Sequence, residues 1–500
     1  SSSSTCSIQK SRQEKVSSKE LKSEKLIEGI KQLIDTNNGG IAGIQKFPNS
    51  PFLDYLLDLT YYQEDADLDN FLVKTLDEMA LGGMFDHLQG GFARYSTDDQ
   101  WRVPHFEKML YDNAQLISVY TKAARKYNDP FYLSVAERTA ANLEIEFKRA
   151  EGGYLSSINA VSDDQEGGIY TWAYDEIESI DPSGALAQFF NITESGNWEN
   201  GLNVLYTETS KEQYLNYLKS DSFKSLQEAR LEKGKVPSDD KFVAGWNSLV
   251  ITGYVDLYRA TSNLEYLEKA EELGNWIMNN QLSQASLVIR NTSNQKDLFL
   301  EDQSAFIQAL ISLYQVTFNQ DWIIAANDIT EAALREFGTS DSPLLVQKNN
   351  SQLFINSYPS IDRDLPSGNG LMMENLLILS ELFYDSRKAW EARAIDMLNE
   401  ESTSIASSPV FKGNWLSGLL HVEHPVYEVA ILGKEATDKR IELDKAFRPD
   451  IFFLGGAEEG AIPLLENKLS AGRTMVYVCQ NKTCKFPTED TEKAYQLTLE

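Results

Sequence analysis

The sequence predicts a mainly α fold, an (α/α)6 toroid of six helical hairpins with a small C-terminal α/β element. Two observations lead there: helix–turn–helix units recur along the chain, and after about residue 424 the pattern changes to short apolar runs.

The clearest unit has apolar residues at helical spacing in Val250, Tyr254, Leu257 and Tyr258. They resume after Ser262-Asn263 in Tyr266, Ala270, Leu273 and Ile277. A second unit surrounds Phe318-Asn319, with Phe306, Leu310 and Leu313 before it and Trp322, Ala325 and Ile329 after. A third surrounds Asn128-Asp129-Pro130, where Pro130 suits a first helical position because its missing N–H costs nothing there. Weaker copies lie at Asp65 and Asp385. Turns near 65, 128, 263, 319 and 385 are separated by 63, 135, 56 and 66 residues. The second gap is about twice the others, so a divergent sixth hairpin is expected near residue 195. Short connections favour antiparallel neighbours. Closing six hairpins gives two concentric layers, with all turns on one face and a pocket at one end. An open helical solenoid is the competing arrangement.

Glycine pairs at Gly39-Gly40, Gly90-Gly91, Gly152-Gly153 and Gly167-Gly168, and the run from Ser367 to Gly370, mark the longer loops between hairpins. Such loops on a rigid scaffold are where ligands are commonly gripped. Beyond residue 424, stretches 427–433, 450–455 and 475–478 read as buried strands separated by helical segments, which predicts three parallel strands. The expected organisation is a tail over 1–25, the toroid over 26–424 and the α/β subdomain over 425–500. No G-x-G-x-x-G follows a strand, and no cofactor is expected.

With 46 basic and 75 acidic residues the net charge is −29, which repels phosphate backbones and anionic lipid, so no nucleic-acid partner is expected. No run reaches the ~20 apolar residues of a bilayer span. Three cysteines make no disulfide framework, and Cys479 and Cys484 read as two thiols in a reducing, cytoplasmic compartment. His421 and His424 flank Glu423 at a spacing that a metal could exploit, but two histidines and one carboxylate are a common surface accident, and no metal is expected.

Chemistry-bearing residues concentrate in 85–113: Asp86, His87, Arg94, Tyr95, Trp101, His105, Glu107, Asp112 and Asn113. Aromatic faces to stack on sugar C–H groups and forked polar groups for hydroxyls suit carbohydrate, and a histidine beside a carboxylate exchanges protons near neutrality. His105, Glu107, His87 and Asp86 are the candidate catalytic residues. Arg94, Tyr95, Trp101, Asp112 and Asn113 are candidate binding residues, joined by Asp240, Trp246, Asn247, Asp302 and Asn369 from later hairpins. A neutral or amino sugar is the expected ligand, because net negative potential disfavours anions.

The run Gly90-Gly91-Phe92 through Arg94-Tyr95-Ser96, then Val103-Pro104-His105-Phe106-Glu107-Lys108-Met109-Leu110-Tyr111-Asp112-Asn113-Ala114, resembles the hallmark of the spermatogenesis-associated-protein-20-like family. Supporting matches are Lys46-Phe47-Pro48, Asp239-Asp240-Lys241 with Trp246-Asn247, Phe299 to Asp302, Pro366 to Asn369, and Tyr477 to Asn481 with Cys484, in family order from about residue 37 onward. The resemblance implies a six-hairpin glycosidase-like ring, similar to N-acylglucosamine 2-epimerases, and hence carbohydrate chemistry by analogy. It also implies a thioredoxin-like domain or partner, although no Trp-Cys-rich segment of that kind occurs in these 500 residues. Two departures stand out. Ala93 replaces the family's histidine, and Asn159-Ala160-Val161-Ser162 replaces its Asp-Ala-Asp-Ser. Two functions are therefore weighed: an acid/base sugar enzyme, either epimerase, isomerase or hydrolase, and a non-catalytic binding or scaffold module.

Overall fold

Three hairpins of the ring are built the same way: an inner helix ends on a left-handed residue, and an Asx side chain then caps the outer helix. The computed structural model describes residues 21–162, 164–291, 298–347, 356–481 and 483–499. The expected tail lies, up to residue 20, outside the described residues. The hairpins are α2 (Ser50–Tyr62) with α3 (Ala66–Leu81), α4 (Leu110–Tyr127) with α5 (Pro130–Asn142), and α6 (Ala244–Thr261) with α7 (Leu264–Asn280). They continue as α8 (Leu300–Thr317) with α9 (Gln320–Phe337), and α10 (Gly368–Leu382) with α11 (Tyr384–Ser407). Asn128, Ser262 and Phe318 take the left-handed conformation. Asp65, Asp129, Asn263 and Asn319 accept the exposed N–H two residues on.

The sixth hairpin is not near residue 195. It is assembled from α12 (Gly413–Glu423) and α1 (Ser23–Lys31), from opposite ends of the described chain. Helices α2, α4, α6, α8, α10 and α12 pack in that order, and α12 packs back on α2, so the ring closes. Gly413 permits this closure, since a Cβ there would lie 2.3 Å from the Pro51 backbone. Inner helices are apolar around most of their circumference because they touch two ring neighbours and an outer partner, as in α8. Outer helices carry a single stripe, as Ala270, Leu273, Gly274 and Ile277 do in α7. One continuous core runs through the ring.

The double-length gap is an excursion between α5 and α6. Short helices Tyr174–Ile180, Ala185–Phe189, Lys211–Tyr217 and Asp221–Glu232 gather on their own core of Leu88, Trp172, Ile177, Leu186 and Phe190.

The C-terminal sheet has β1 (Tyr427–Leu432) beside β2 (Ile451–Gly456), β3 (Met475–Gln480) and β4 (Thr483–Cys484), in the order β4-β3-β1-β2. β1 and β2 are parallel, joined over α13 (Ala436–Leu443). β3 is antiparallel to β1, contrary to the all-parallel expectation. The link from β2 to β3 contains only the 3-10 turn Pro463–Leu465, too little for the crossover that a parallel pair needs. Cys479 and Cys484 face each other across β3 and β4 and form a disulfide, which corrects the reading of two free thiols. Among the described residues no helix is long and apolar enough to cross a membrane.

Candidate functional site

The loops entering the inner helices bring together one polar cluster at the end of the ring opposite the turns. Tyr95 pairs with His105 across a two-residue ladder, and the backbone N–H of Arg94 donates to the Glu107 carbonyl. This register sets four side chains side by side. Tyr95 stacks between Phe47 (4.9 Å) and His105 (5.1 Å). His105 Nδ1 lies 2.8 Å from Glu166 and its Nε2 3.7 Å from Glu107, which pairs with Arg94 at 3.2 Å. The His105 side chain is 29% exposed, so it stands at the rim.

Deeper, the first turn of α4 contributes Tyr111 and Asp112. Trp246 of α6 meets Tyr111 edge-on at 4.8 Å. Asp364, just before α10, completes the group, and Gln115 Nε2 ties it to α4 by donating to the carbonyls of both Asp364 and Tyr111. Burial, and then Asp364, push the Asp112 carboxyl well above the ordinary range against the pull of Arg94. Burial also raises Asp364, again opposed by Arg94. Asp112 Oδ2, Asp364 Oδ1, Arg94 Nε and Trp246 Nε1 are buried with no hydrogen-bond partner among the described residues. Buried polar atoms are rarely left so, and here four fall in one cluster.

The other sequence-predicted residues sit elsewhere and serve the scaffold. Asp86 is buried between Lys108 (3.0 Å) and Arg230 (3.9 Å) and accepts the Leu88 and Gln89 N–H groups. Burial alone would raise its carboxyl, but Lys108 and Arg230 hold it well below the usual range. His87 is enclosed, with Nε2 against the Gly82 carbonyl and Nδ1 against the Tyr214 hydroxyl, both at 2.9 Å. Burial, with Arg138 nearby, pulls its imidazole down to about 4, so it stays neutral. Trp101 is fully buried and donates to the Asn38 carbonyl. Asp302 accepts the Gly245 N–H and pairs with Arg290. Asp240 is exposed.

Asn113, Asn247 and Asn369 perform one repeated task. Each amide grips both the N–H and the C=O of a loop residue: Phe92, Tyr154 and Leu345 respectively. Gln303 does the same for Val288 in α8. Two bonds per amide fix each incoming loop to its inner helix, and sequence patterning offered these residues as ligand contacts instead.

Sequence reasoning missed Asp364, Gln115, Glu166 and Phe47. Asp364 was within reach, two residues before the Pro366 to Asn369 motif. Among the described residues no group of three His, Cys, Asp or Glu could hold a metal. Glu423 instead holds α1, and His424 stacks on Tyr62 at 4.3 Å.

No family model matches the chain. Spermatogenesis-associated protein 20 of Mus musculus is 26% identical over 530 residues, covering 91% of this chain and 66% of the relative. The Homo sapiens protein of that name is 25% identical over the same span and shares. The chain is similar to spermatogenesis-associated protein 20 along nearly all of its length. It spans about two thirds of the length of these curated relatives. Among solved structures, a sugar epimerase from a ruminal bacterium aligns with TM-score 0.47 at 12% identity, covering 80% of this chain and 84% of that one. A GH76 alpha-mannanase from Bacteroides thetaiotaomicron aligns with TM-score 0.47 at 11% identity, covering 80% and 95%.

Proposed function

We propose that the loop end of the ring binds a neutral or amino sugar and performs acid/base proton transfer on it. The observation that carries this reading is Asp112: a buried carboxyl, pushed by burial well above the ordinary carboxylate range, with one oxygen that has no partner among the described residues. A protonated acid needs a matching acceptor for catalysis. Glu107, ion-paired with Arg94 and next to His105, is that acceptor, and it acts on Asp112 electrostatically. Tyr111 and Trp246 offer the faces on which a sugar ring stacks, and Tyr95 with Phe47 extends that surface to the rim. Asp86, His87, Trp101, Asn113, Asn247, Asp302 and Asn369 leave the proposed roles, since their polar groups are spent on the scaffold. Asp240, which is exposed, leaves with them. The second reading is a binding module without turnover, favoured by Ala93 and Asn159 where the family carries histidine and aspartate. The resemblance extends to a thioredoxin-like partner for either reading.

The test is thermal-shift screening against neutral sugars, amino sugars, uronic acids and sugar phosphates, followed by turnover assays on any hit. A ligand at a hundredfold its dissociation constant stabilises by about 2.7 kcal/mol. Asp112→Asn should keep binding and lose turnover. Binding confined to anionic sugars would overturn the neutral-ligand reading, and a hit without turnover would favour the binding module.

A further inference from the structure

The axis of the ring holds a second chamber, at the turn end, of about 240 Å3. Late residues of all six inner helices line it, including Asp58 of α2, Thr252 and Asp256 of α6, Gln308 of α8 and His421 of α12. Residues of β1, β2 and the segment before β2 form its far wall. Lys122, Thr252 and Gln308 also line a smaller space of about 70 Å3 toward the loop end, which begins at Ser50, Gln115 and Asn414. The two spaces therefore follow one another along the axis.

The chamber's cations are already matched. Lys122 is bonded to both oxygens of Asp54. Arg125 and Arg259 converge on Asp444, and Arg448 makes a two-pronged pair with Asp450. Glu381 and Glu428 are each engaged. What is left over is neutral hydrogen-bonding capacity. Thr252 Oγ1 and Asp256 Oδ2 are buried with no partner among the described residues. The side chains of Asp58, Gln308 and His421 likewise make no hydrogen bond or ion pair there. His421 lines the chamber, and desolvation pulls its imidazole down to about 4. Burial raises Asp58 and Asp256 despite Lys122. The wall thus offers carboxyl, imidazole, hydroxyl and amide groups, mixing donors and acceptors with no spare positive charge.

We infer that this chamber is a second binding site, distinct from the loop-end cluster, for a small neutral polyhydroxylated molecule of polyol or monosaccharide size. Alternating donors and acceptors are what vicinal hydroxyls satisfy, whereas an anion would find every guanidinium taken. The volume lies below the roughly 300–1,000 Å3 of sites for drug-sized ligands, which sets the size class.

The experiment is calorimetric titration of the whole chain with glycerol, xylitol, myo-inositol and glucose, with acetate and phosphate as anionic controls. Four proteins are compared: the wild type, His421→Leu, Thr252→Val and the loop-end variant Trp246→Ala. One of the neutral probes should bind saturably to the wild type and to Trp246→Ala. It should bind at least tenfold more weakly to both chamber variants, whose melting curves confirm that they are folded. Failure of the loop-end proposal would instead show as binding insensitive to Trp246→Ala at every probe, and leaves the chamber result standing. No saturable binding by any neutral probe overturns the inference, as water alone then occupies the chamber. Binding by the anions alone, or binding that the chamber variants do not weaken, overturns it equally.

Discussion

Glu423, the last residue of α12, accepts hydrogen bonds from both the backbone N–H and the hydroxyl of Ser23, the first residue of α1. In the other hairpins a short covalent turn joins the paired helices. Here a carboxylate does it across 400 residues of sequence, and it also caps the helix N-terminus, where negative charge is favoured.

Replacing Glu423 by Ala should therefore act like loss of a helix cap, at about 1 kcal/mol. Hydrogen exchange should quicken in α1 while α4 and α6 keep their protection. Ile30→Ala, which hollows the contact of α1 with the ring, should cost more, on the order of 2–5 kcal/mol in urea denaturation. Unchanged exchange in α1 for both variants would contradict the split sixth hairpin.

The amide clasps predict loss of stability without an effect on chemistry at the site. Asn247→Ala leaves the Tyr154 N–H and C=O buried and unpaired, at about 1–3 kcal/mol for each group. The melting temperature should fall, while the affinity for any loop-end ligand, measured well below that temperature, stays within about twofold. A selective loss of affinity would restore Asn247 as a ligand contact.

Asp112 predicts the opposite pattern. Asp112→Asn keeps the shape and removes the acid, so turnover of a ligand hit should fall by 10²-fold or more, as loss of general acid catalysis does. Stability should be unchanged or higher, since a group that burial disfavours as an anion has been made permanently neutral. Turnover within threefold of the wild type would remove Asp112 from the mechanism.

Asp58 carries a pH prediction. Burial raises its carboxyl to about 7, opposed by Lys122 and helped by Asp54. The folded chain then binds this proton more tightly than the unfolded one, so the stabilising contribution is fully present only below the ordinary carboxylate range and is lost progressively as pH rises from there through about 7. Asp58→Asn should exceed the wild type in urea midpoint by a clearly larger margin at pH 8 than at pH 5. Equal midpoints at both values would show that Asp58 does not titrate differently on folding.

Five turns were legible in the sequence because each is local, a short break between two apolar stripes at helical spacing, with an Asx residue at the break in four of them. The sixth was not, because spacing counts residues and α1 meets α12 only in space. The doubled gap after Asp129 therefore signalled an inserted unit with its own core around Trp172, and no missing hairpin. The site divides along the same line. Arg94, His105, Glu107 and Asp112 lie in one continuous motif and were named together. Asp58, Asp256 and Asp364 stood apart, as single acids on helices or loops, and a lone acid reads as solvated surface. The ring turns such residues inward, toward its axis. The clasp asparagines were misread for a related reason: residue type reveals hydrogen-bonding capacity but not which groups consume it.

The division of the sixth hairpin between the two ends also sets an order of events during translation. At about 5–20 residues per second, Ser23 leaves the ribosome some 20–80 s before Glu423 is made. For that interval the nascent ring is an open arc, and the apolar stripe of Leu26, Ile27 and Ile30 has no docking groove. Closure of the wall has to wait for α12, and until then this short amphipathic segment keeps its apolar stripe exposed, where a chaperone can hold it.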